Sequence, residues 1–145
     1  MKSLNSKSSK LMYKYNVSSA TDVTGYGLIG HLIEMAKGSN LSAEITFNKI
    51  EFIKGIKNFI DQNIFPSGTK RNLEFYNSQI DYVLNINYNE KLLLADSQTS
   101  GGLLISIPKK NVSGFLKEYN KSSEFLAVEI GNFKKLDKNK FLIIK

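Results

Sequence analysis

The sequence predicts an α+β fold of mixed α/β layers, in which helices pack on a mixed sheet within a single domain over residues 1–145. The chain is long enough to bury a real core, and its 41% hydrophobic and 23% charged residues are typical of a globular domain. Helical and strand periodicities alternate along it without a low-complexity linker or an internal repeat. Pro66 and Pro108 both lie at predicted element boundaries, where proline is tolerated.

The first three predicted elements are a helix, a strand and a second helix. The opening segment places four apolar side chains on one helical face: Leu4, Leu11, Met12 and Tyr15. The β-favouring segment VSSAT follows and leads into a turn that contains glycine. An apolar stripe at helical spacing then predicts the second helix: Leu28, Ile29, Leu32, Ile33 and Ala36. Gly38 is placed to end this helix as its C-terminal cap.

The middle of the chain alternates in the same way. The segment AEITF has apolar side chains at every second position, which predicts a strand. An amphipathic helix follows, with five side chains expected to face inward: Phe52, Ile53, Ile56, Phe59 and Ile60. The segment FPSGTKRN is a predicted loop because Pro66, Ser67 and Gly68 cluster there. One or two helices then run through LEFYNSQI and NEKLLLAD.

Strands predominate toward the C-terminus. The polar segment DSQTSGG is a predicted loop that leads into the apolar strand GLLISIP. A helix over KKNVSGFLKEY separates this strand from two closing strands, FLAVEIG and KFLIIK. The predicted sheet therefore contains five segments: VSSAT, AEITF, LLISI, AVEIG and FLIIK.

The net charge of +7, from 20 basic and 13 acidic residues, raises the question of an anionic partner. Surfaces that read bases and clamp phosphates favour arginine, and Arg71 is the only arginine in the sequence. The lysines are spread among asparagines along the whole chain without a tight basic run. This distribution indicates a solvated surface, and no specific nucleic-acid partner is expected.

Composition argues against several other classes of protein. No apolar run approaches the roughly 20 residues that span a bilayer, and the first residues lack the apolar segment of a signal peptide, so no membrane partner is expected. Without cysteine the chain has no disulfide framework, thiolate metal site or thiol nucleophile, and a cytoplasmic location is expected. The sequence also contains no G-x-S-x-G nucleophile motif and no G-x-x-x-x-G-K-[ST] phosphate loop.

Asp22 stands just before a turn with two glycines, Gly25 and Gly27, that leads into the second helix. One interpretation is structural: the Asp22 side chain caps the helix by accepting a backbone N–H from its first turn. The other is functional: the carboxylate is an oxygen ligand for Mg²⁺ beside a phosphate drawn to the helix N-terminus. A carboxylate next to a phosphate repels it unless a cation lies between them. The pattern alone leaves both interpretations open.

Two further segments offer groups that suit phosphate, although an ordinary polar loop is the more frequent outcome of such composition. DSQTSGG combines short polar side chains with glycine, at Asp96, Gln98, Thr99, Ser100, Gly101 and Gly102. PSGTKRN brings Lys70 and Arg71 after a flexible turn. His31 lies one turn into the second helix, and with no second histidine it is expected to be packed or hydrogen-bonded instead of binding zinc.

Together these segments are more specific than any one of them. ATDVTGYGLIGHLIEMA, PSGTKRN and DSQTSGGLLISIP occur in the order and approximate spacing of the C-terminal half of selenophosphate synthetase (selenide, water dikinase). This family belongs to the aminoimidazole-ribonucleotide synthetase-like superfamily. The leading segment from Leu4 and the closing FLAVEIGNF also resemble that half, so the resemblance covers nearly the whole chain.

The resemblance implies the fold of that C-terminal half and a kinase-type transferase activity of selenium metabolism that serves selenocysteine biosynthesis. In that reaction selenide, ATP and water give selenophosphate, AMP and orthophosphate with Mg²⁺, in a homodimer whose C-terminal domain closes over ATP. The match to ATDVTG makes Asp22 a Mg²⁺ ligand. Other matched positions are expected near the phosphates or nucleotide: Thr21, Thr24, Gly25, Gly27, Lys70, Arg71, Asp96, Gln98, Thr99, Ser100 and Gly101.

The resemblance also implies which parts of the enzyme lie elsewhere. The family's catalytic cysteine or selenocysteine, its neighbouring lysine and most of its nucleotide-binding aspartates belong to the N-terminal half. No catalytic residue is therefore expected in this chain, which corresponds to the C-terminal half without the N-terminal ATP-binding half and is expected to be inactive alone. The alternative is a free-standing module that uses the same fold to bind an anion or a protein.

Overall fold

Helices and strands alternate along residues 6–123 and 125–145, the residues that the computed structural model describes. The helices are α1 (Ser6–Lys14), α2 (Gly27–Gly38), α3 (Ile56–Asp61), α4 (Ser67–Tyr76), α5 (Tyr88–Ala95) and α6 (Lys109–Ser122). The strands are β1 (Ser19–Asp22), β2 (Leu41–Ile45), β3 (Ile80–Tyr82), β4 (Leu103–Ser106), β5 (Gly131–Lys135) and β6 (Leu142–Ile144). The predicted α+β class is confirmed. None of the helices in these residues is long and apolar enough to cross a membrane.

Two separate sheets form where one was predicted. Four strands build a mixed sheet in the order β3-β6-β2-β5, with β6 parallel to β2 and β3 and with β5 antiparallel to β2. β1 and β4 pair antiparallel with each other, and Asp22 lies opposite Leu103. All three side chains of β6 are buried, whereas none of β1 is. β1 and β4 therefore lie outside the main sheet, and the prediction of one sheet is wrong.

The main core lies between the four-stranded sheet and the helices α2 and α5. Its nearly inaccessible side chains come from several elements: Ile29, Ile33, Ala36, Ile45, Leu92, Leu94, Leu142 and Ile144. Burying one such Ile or Leu contributes roughly 1.5–3 kcal/mol to stability. The apolar stripe predicted for α2 is confirmed, and its packing on β2 fixes the position of the turn that precedes the helix.

α1 packs against α6 at the other end of the sequence. The Tyr15 ring meets the Phe115 ring edge to face, with centroids 5.7 Å apart. Tyr15 Oη and Lys14 Nζ both donate to the Glu118 carboxylate. The predicted first helix is confirmed over the described residues, whereas Leu4, named for its apolar face, lies outside them.

The third helix is shorter than predicted. α3 begins at Ile56, directly after Gly55, whose φ of 88° lies in the left-handed region. Ile60 is buried, but Ile53 is 84% exposed and Phe59 is 52% exposed. Since Gly55 turns the chain before the helix starts, the continuous inward face that the spacing predicted does not form.

The C-cap of α2 lies one residue later than predicted. Gly38 is the last helical residue and not the cap, and Ser39 follows it as the C-cap. The left-handed conformation expected of a terminating glycine is found at Asn40, with φ of 52°. Asparagine visits this region more readily than other side chains, so it ends the turn in place of glycine.

The PSGTKRN segment is helical instead of forming a loop. α4 begins at Ser67 after Pro66, whose φ of −59° suits a helix start. Thr69 and Asn72 are buried on the inner face of this helix. The tertiary contacts of these two polar side chains hold the segment as a helix despite its loop-like composition.

One helix prediction beside the main sheet is confirmed except at its last residue, and one strand prediction needs correction. The segment LEFYNSQI completes α4 and continues as a 3₁₀ turn over Asn77–Gln79, and only its last residue, Ile80, belongs to β3. The strand predicted at AVEIG begins at its last residue, Gly131, and continues to Lys135. A side chain at position 131 would overlap the backbone carbonyl of Glu44, so glycine is required where β5 first meets β2.

Candidate functional site

Three segments meet beside the N-terminus of α2. They are the turn from Asp22 to Gly27, here called the β1–α2 turn, the loop 96–102 between α5 and β4, and the first turns of α4. Three backbone hydrogen bonds join the turn to the loop. Val23 accepts from Gly101 N at 3.0 Å and donates to Gly102 O at 3.0 Å, and Thr24 O accepts from Gln98 N at 3.1 Å.

Side-chain amide and hydroxyl groups complete the junction. Asn72 of α4 is buried, and its Nδ2 donates to Gly25 O at 2.8 Å and to Ala95 O at 3.1 Å. Ser97 Oγ donates to the same Gly25 carbonyl at 2.8 Å. The β1–α2 turn is therefore held from two sides, by α4 and by the loop after α5.

Two glycines allow these segments to approach closely. Gly27 has φ of 68°, and a Cβ there would lie 2.6 Å from Ala95 C and 2.9 Å from Asp96 O. A Cβ at Gly101 would overlap Val23 O and lie 2.6 Å from Gln98 Oε1. Both positions need glycine because backbone occupies the space of a side chain. Gly25 is different, since the nearest atom to its Cβ position is Ser97 Oγ at 4.0 Å.

Asp22 ends β1 with an exposed side chain. Its carboxylate has no hydrogen bond or ion pair with any residue that the structure describes. The capping interpretation is wrong, because α2 starts after Tyr26 and has no side-chain cap. Four residues separate Asp22 from Gly27, too many for a cap.

Asp96 has the opposite environment. The carboxyl is half-buried, which raises its pKa, while the hydrogen bonds from Thr69 and from the Ser97 backbone act in the lowering direction. Thr69 Oγ1 donates to Asp96 Oδ1 at 3.0 Å and accepts from Ser97 N at 3.2 Å. Asp96 thus joins α4 to the end of α5, and its position indicates a supporting role.

His31 lies on α2 and contacts the turn directly. Thr24 N donates to His31 Nε2 at 3.1 Å, and Thr24 Oγ1 lies 3.3 Å from the same nitrogen. The expectation of a packed, hydrogen-bonded histidine is confirmed.

The remaining predicted site residues lie on, or next to, the three segments that form this junction. Thr21 Oγ1 donates to the Asp22 carbonyl at 3.2 Å. Thr99 and Ser100 are exposed at the tip of the 96–102 loop. Lys70 and Arg71 are exposed on α4, and Lys70 Nζ lies 5.4 Å from the centroid of the Phe65 ring. The structure therefore brings together the three segments that carry the predicted residues.

Three residues that hold the site were missed from the sequence: Thr69, Asn72 and Ser97. Each is a short polar side chain whose partner lies far away in sequence. A helical reading of PSGTKRN would have placed Thr69 and Asn72 on one face, three residues apart. This spacing could have predicted the two buried polar side chains, but it has no meaning in a loop, which is how the segment was predicted.

The side chains present fit one corner of a magnesium site. Mg²⁺ prefers oxygen ligands in octahedral geometry and keeps several of its waters. Asp22 offers an exposed carboxylate of this kind, but the described residues contain no group of three or more His, Asp or Glu side chains placed to hold a metal. Asp22 is therefore suited to be one ligand among several that other molecules or segments supply.

The sequence family named AIR synthase related protein, C-terminal domain, matches residues 4–143, a span that includes all three converging segments. The chain belongs to this family. Its membership agrees with the α+β fold and confirms the resemblance noted from the sequence motifs.

Curated relatives of this C-terminal domain add a more specific likeness. The chain is 41% identical over 131 residues to a protein of Aliarcobacter butzleri named "Selenide, water dikinase", and 40% identical over 131 residues to one of the same name from Carboxydothermus hydrogenoformans. These alignments cover 90% of the chain and 38% of each relative. A Campylobacter jejuni protein of that name is 46% identical over 118 residues, which are 81% of the chain and 33% of the relative. The chain thus spans well under half the length of these relatives.

Proposed function

We propose that this chain is the C-terminal domain of a selenide, water dikinase, the enzyme that makes selenophosphate from selenide, ATP and water and releases AMP and orthophosphate. The observation that carries the proposal is the meeting of three distant motif segments at the turn that directly follows one exposed carboxylate, Asp22. The names of the relatives support it, because they match 90% of the chain at about two-fifths identity.

Asp22 is the proposed ligand for Mg²⁺ in this domain. When bound, the ion offsets the repulsion between the carboxylate and the phosphates of ATP. The side chain leaves the end of β1 toward solvent, so it is available to a partner that approaches this edge. The hydrogen bonds of the β1–α2 turn fix the backbone just after Asp22 and limit the positions that its carboxylate reaches.

Groups with positive charge or hydroxyl donors flank this carboxylate in the proposed site. Lys70 and Arg71 extend from the exposed side of α4, and Thr99 and Ser100 lie at the tip of the 96–102 loop. Cationic and hydroxyl groups suit the oxygens of a polyphosphate. In this proposal they bind and orient the nucleotide, and no residue of the chain takes part in a bond-making step.

The rest of the catalytic apparatus is proposed to belong to a preceding N-terminal half. The chain covers 38% of the Aliarcobacter butzleri relative, which leaves most of that protein to carry other functions. The domain assignment, the homodimer and the cytoplasmic location expected from the resemblance are parts of the same proposal. ATP, Mg²⁺ and selenide would then meet this domain at the edge where Asp22 lies.

A chimera tests the proposed function. The part of the Aliarcobacter butzleri relative outside the matched 131 residues would be joined to this chain in place of its own matched part. We expect AMP release that depends on both selenide and Mg²⁺, and a selenophosphate signal by phosphorus NMR. The same part of the relative without this chain is the control and should be inactive. An inactive chimera that is folded and dimeric would count against the proposal and favour a free-standing binding module.

A further inference from the structure

His31 is the single histidine of the chain, and it is 7% exposed within α2. Its ring lies over the start of its own helix, with the Tyr26 ring centroid 5.8 Å away at a tilt of 52°. The only backbone group within hydrogen-bond distance that the described residues offer to Nε2 is Thr24 N, at 3.1 Å. This hydrogen bond joins a residue of the helix to the preceding turn, which begins at Asp22.

The direction of this hydrogen bond fixes the state of the ring. A backbone N–H always donates, so Nε2 must present its lone pair, and the proton of a neutral imidazole is then on Nδ1. Nδ1 faces Glu34 Oε2 at 3.7 Å, which is too long for a hydrogen bond. The geometry therefore requires a neutral ring that is anchored through Nε2.

Thr24 is one of three residues through which the β1–α2 turn is held, beside Val23 and Gly25. Its N–H donates to His31, and its carbonyl accepts from Gly27 N at 3.0 Å and from Gln98 N at 3.1 Å. Asp22 is two residues earlier, at the end of β1. α2 has no side-chain cap, and the His31 ring, which lies within the helix, links it to the preceding turn through the Thr24 N–H.

We propose that His31 is a positioning residue that holds the Asp22 carboxylate in place by accepting the Thr24 N–H through a neutral ring. The inference rests on the proposed function for its catalytic consequence, but the contact itself is a property of this chain. Loss of the acceptor frees the Thr24 amide, so the end of β1 is tied to α2 only through the remaining hydrogen bonds of Val23 and of the Thr24 carbonyl. The carboxylate is then less well placed for a cation.

Two substitutions of His31 distinguish the effect of its Nε2 acceptor from the effect of the packing of its ring. His31→Phe keeps a ring of similar size but has no acceptor, and His31→Gln can place an amide oxygen near the position of Nε2. If packing matters most, Phe is the milder change. If the acceptor matters, Gln is the milder change, because an unsatisfied buried N–H is the costly defect. Glu34→Gln is the matched control, since its carboxylate is exposed and makes no hydrogen bond to the ring.

The first experiment uses NMR on the chain itself. Nitrogen-15 shifts of the lone histidine should show the neutral Nδ1–H tautomer, unchanged by Glu34→Gln. Hydrogen exchange of the Thr24 amide should be about tenfold faster in His31→Phe, as expected for loss of one hydrogen bond, and close to wild type in His31→Gln. An Nε2–H tautomer, or equal Thr24 exchange in wild type and His31→Phe, would overturn the proposal.

The second experiment places the same variants in the chimera described above. We expect His31→Phe to raise the Mg²⁺ concentration for half-maximal AMP release about tenfold. In His31→Gln this concentration should stay close to the wild-type value. Loss of activity in both variants with unchanged Mg²⁺ dependence would contradict positioning. A wild-type chimera without activity would refute the proposed function alone, because the NMR measurement still decides the role of His31.

Discussion

Asp22 and Asp96 lie in two of the segments that meet at one junction, and burial gives them different chemistry. The Asp96 carboxyl is half-buried, accepts a hydrogen bond from Thr69 and has a raised pKa. The Asp22 carboxylate is exposed and makes no hydrogen bond or ion pair with a described residue. A group that is already satisfied stabilises its surroundings, whereas an unsatisfied carboxylate at an ordered position is available to bind. The structure thus keeps Asp22 available as the predicted metal ligand, whereas Asp96, predicted near the phosphates, is hydrogen-bonded within the domain.

Replacing Asp22 by asparagine tests whether its carboxylate is free to bind Mg²⁺. Because the side chain neither caps α2 nor pairs with a described residue, Asp22→Asn should change the free energy of unfolding of the chain by less than about 0.5 kcal/mol. In the chimera it should weaken Mg²⁺-dependent turnover by about tenfold or more, since it removes a charged ligand. Glu51→Gln, at another exposed carboxylate, is the control for a general charge effect. Undiminished turnover in Asp22→Asn would remove the magnesium role.

Gly27 and Gly38, at the two ends of α2, form a matched pair. A side chain at Gly27 would need a left-handed backbone and would lie 2.6 Å from Ala95 C, so Gly27→Ala should cost about 2 kcal/mol or more of stability. Gly38 has nothing within 4 Å of its Cβ position, and Gly38→Ala should stabilise by roughly 0.5 kcal/mol. Urea unfolding of both variants checks this contrast. Equal effects would mean that the α2 start is not tightly packed on α5.

Local signals at the residue scale predicted part of this junction. The glycines of the β1–α2 turn and the exposed Asp22 follow from short motifs, because close backbone approach needs glycine. The cap was wrong, since pattern alone did not fix which residue would start α2. Thr69 and Asn72 could not be assigned, because their partners are in other segments and depend on how α4 meets α5.

At the scale of elements, strongly periodic segments were predicted well and short ones were not. α2 and α6 follow their apolar spacing, and β6 is an apolar run that is buried throughout. β3 has three residues, too few for a period of two to stand out from a helix. β5 has the sequence GNFKK, and its place beside β2 depends on the lack of a side chain at Gly131. These are tertiary effects that local propensity does not contain.

An ion-pair cluster joins three strands of the main sheet and gives a pH prediction. Glu44 of β2 accepts from Lys145 Nζ at 2.7 Å and from Lys134 Nζ at 3.0 Å, and these contacts hold its pKa below the ordinary 4.5. The lysines lie diagonally across from Glu44, on β5 and just after β6. Because the folded pKa is lowered, this stabilisation is present above pH 4.5 and is lost as the pH falls through the lowered value.

Glu44→Gln should therefore destabilise the chain at neutral pH, and the difference from wild type should shrink in acid. Urea midpoints measured at neutral pH and at successively lower pH below 4.5 would show the convergence. The effect should be modest, because both lysines are partly exposed to solvent. Glu74→Gln, at an exposed position on α4, should show no such convergence. A gap that widens in acid would contradict the ion-pair assignment.

At the scale of the whole molecule, the charge and the architecture have different consequences. The net charge of +7 comes from many lysines and one arginine, which describes a solvated surface better than a phosphate-reading one. The β1–β4 pair stands apart from the four-stranded sheet. Asp22, the last residue of β1, lies beside the junction of the three motif segments. The overall fold class was predictable from alternating periodicities, whereas the division into two sheets was not. Strands that pair, such as β1 and β4, lie far apart in the sequence, and local patterns do not show which strands will pair.

The chain by itself should release no AMP above background when supplied with ATP, selenide and Mg²⁺. Phosphoryl transfer is catalysed by several metal and cationic groups that position the phosphates in line with a nucleophile. The described residues contain no group of three or more His, Asp or Glu side chains placed to hold a metal, and the Asp22 carboxylate alone is one ligand of the several that Mg²⁺ needs. A coupled assay for AMP, with the chimera as the positive control, measures this directly. Selenide-dependent AMP release by the chain alone would place the catalytic groups here, contrary to the proposed division between two halves.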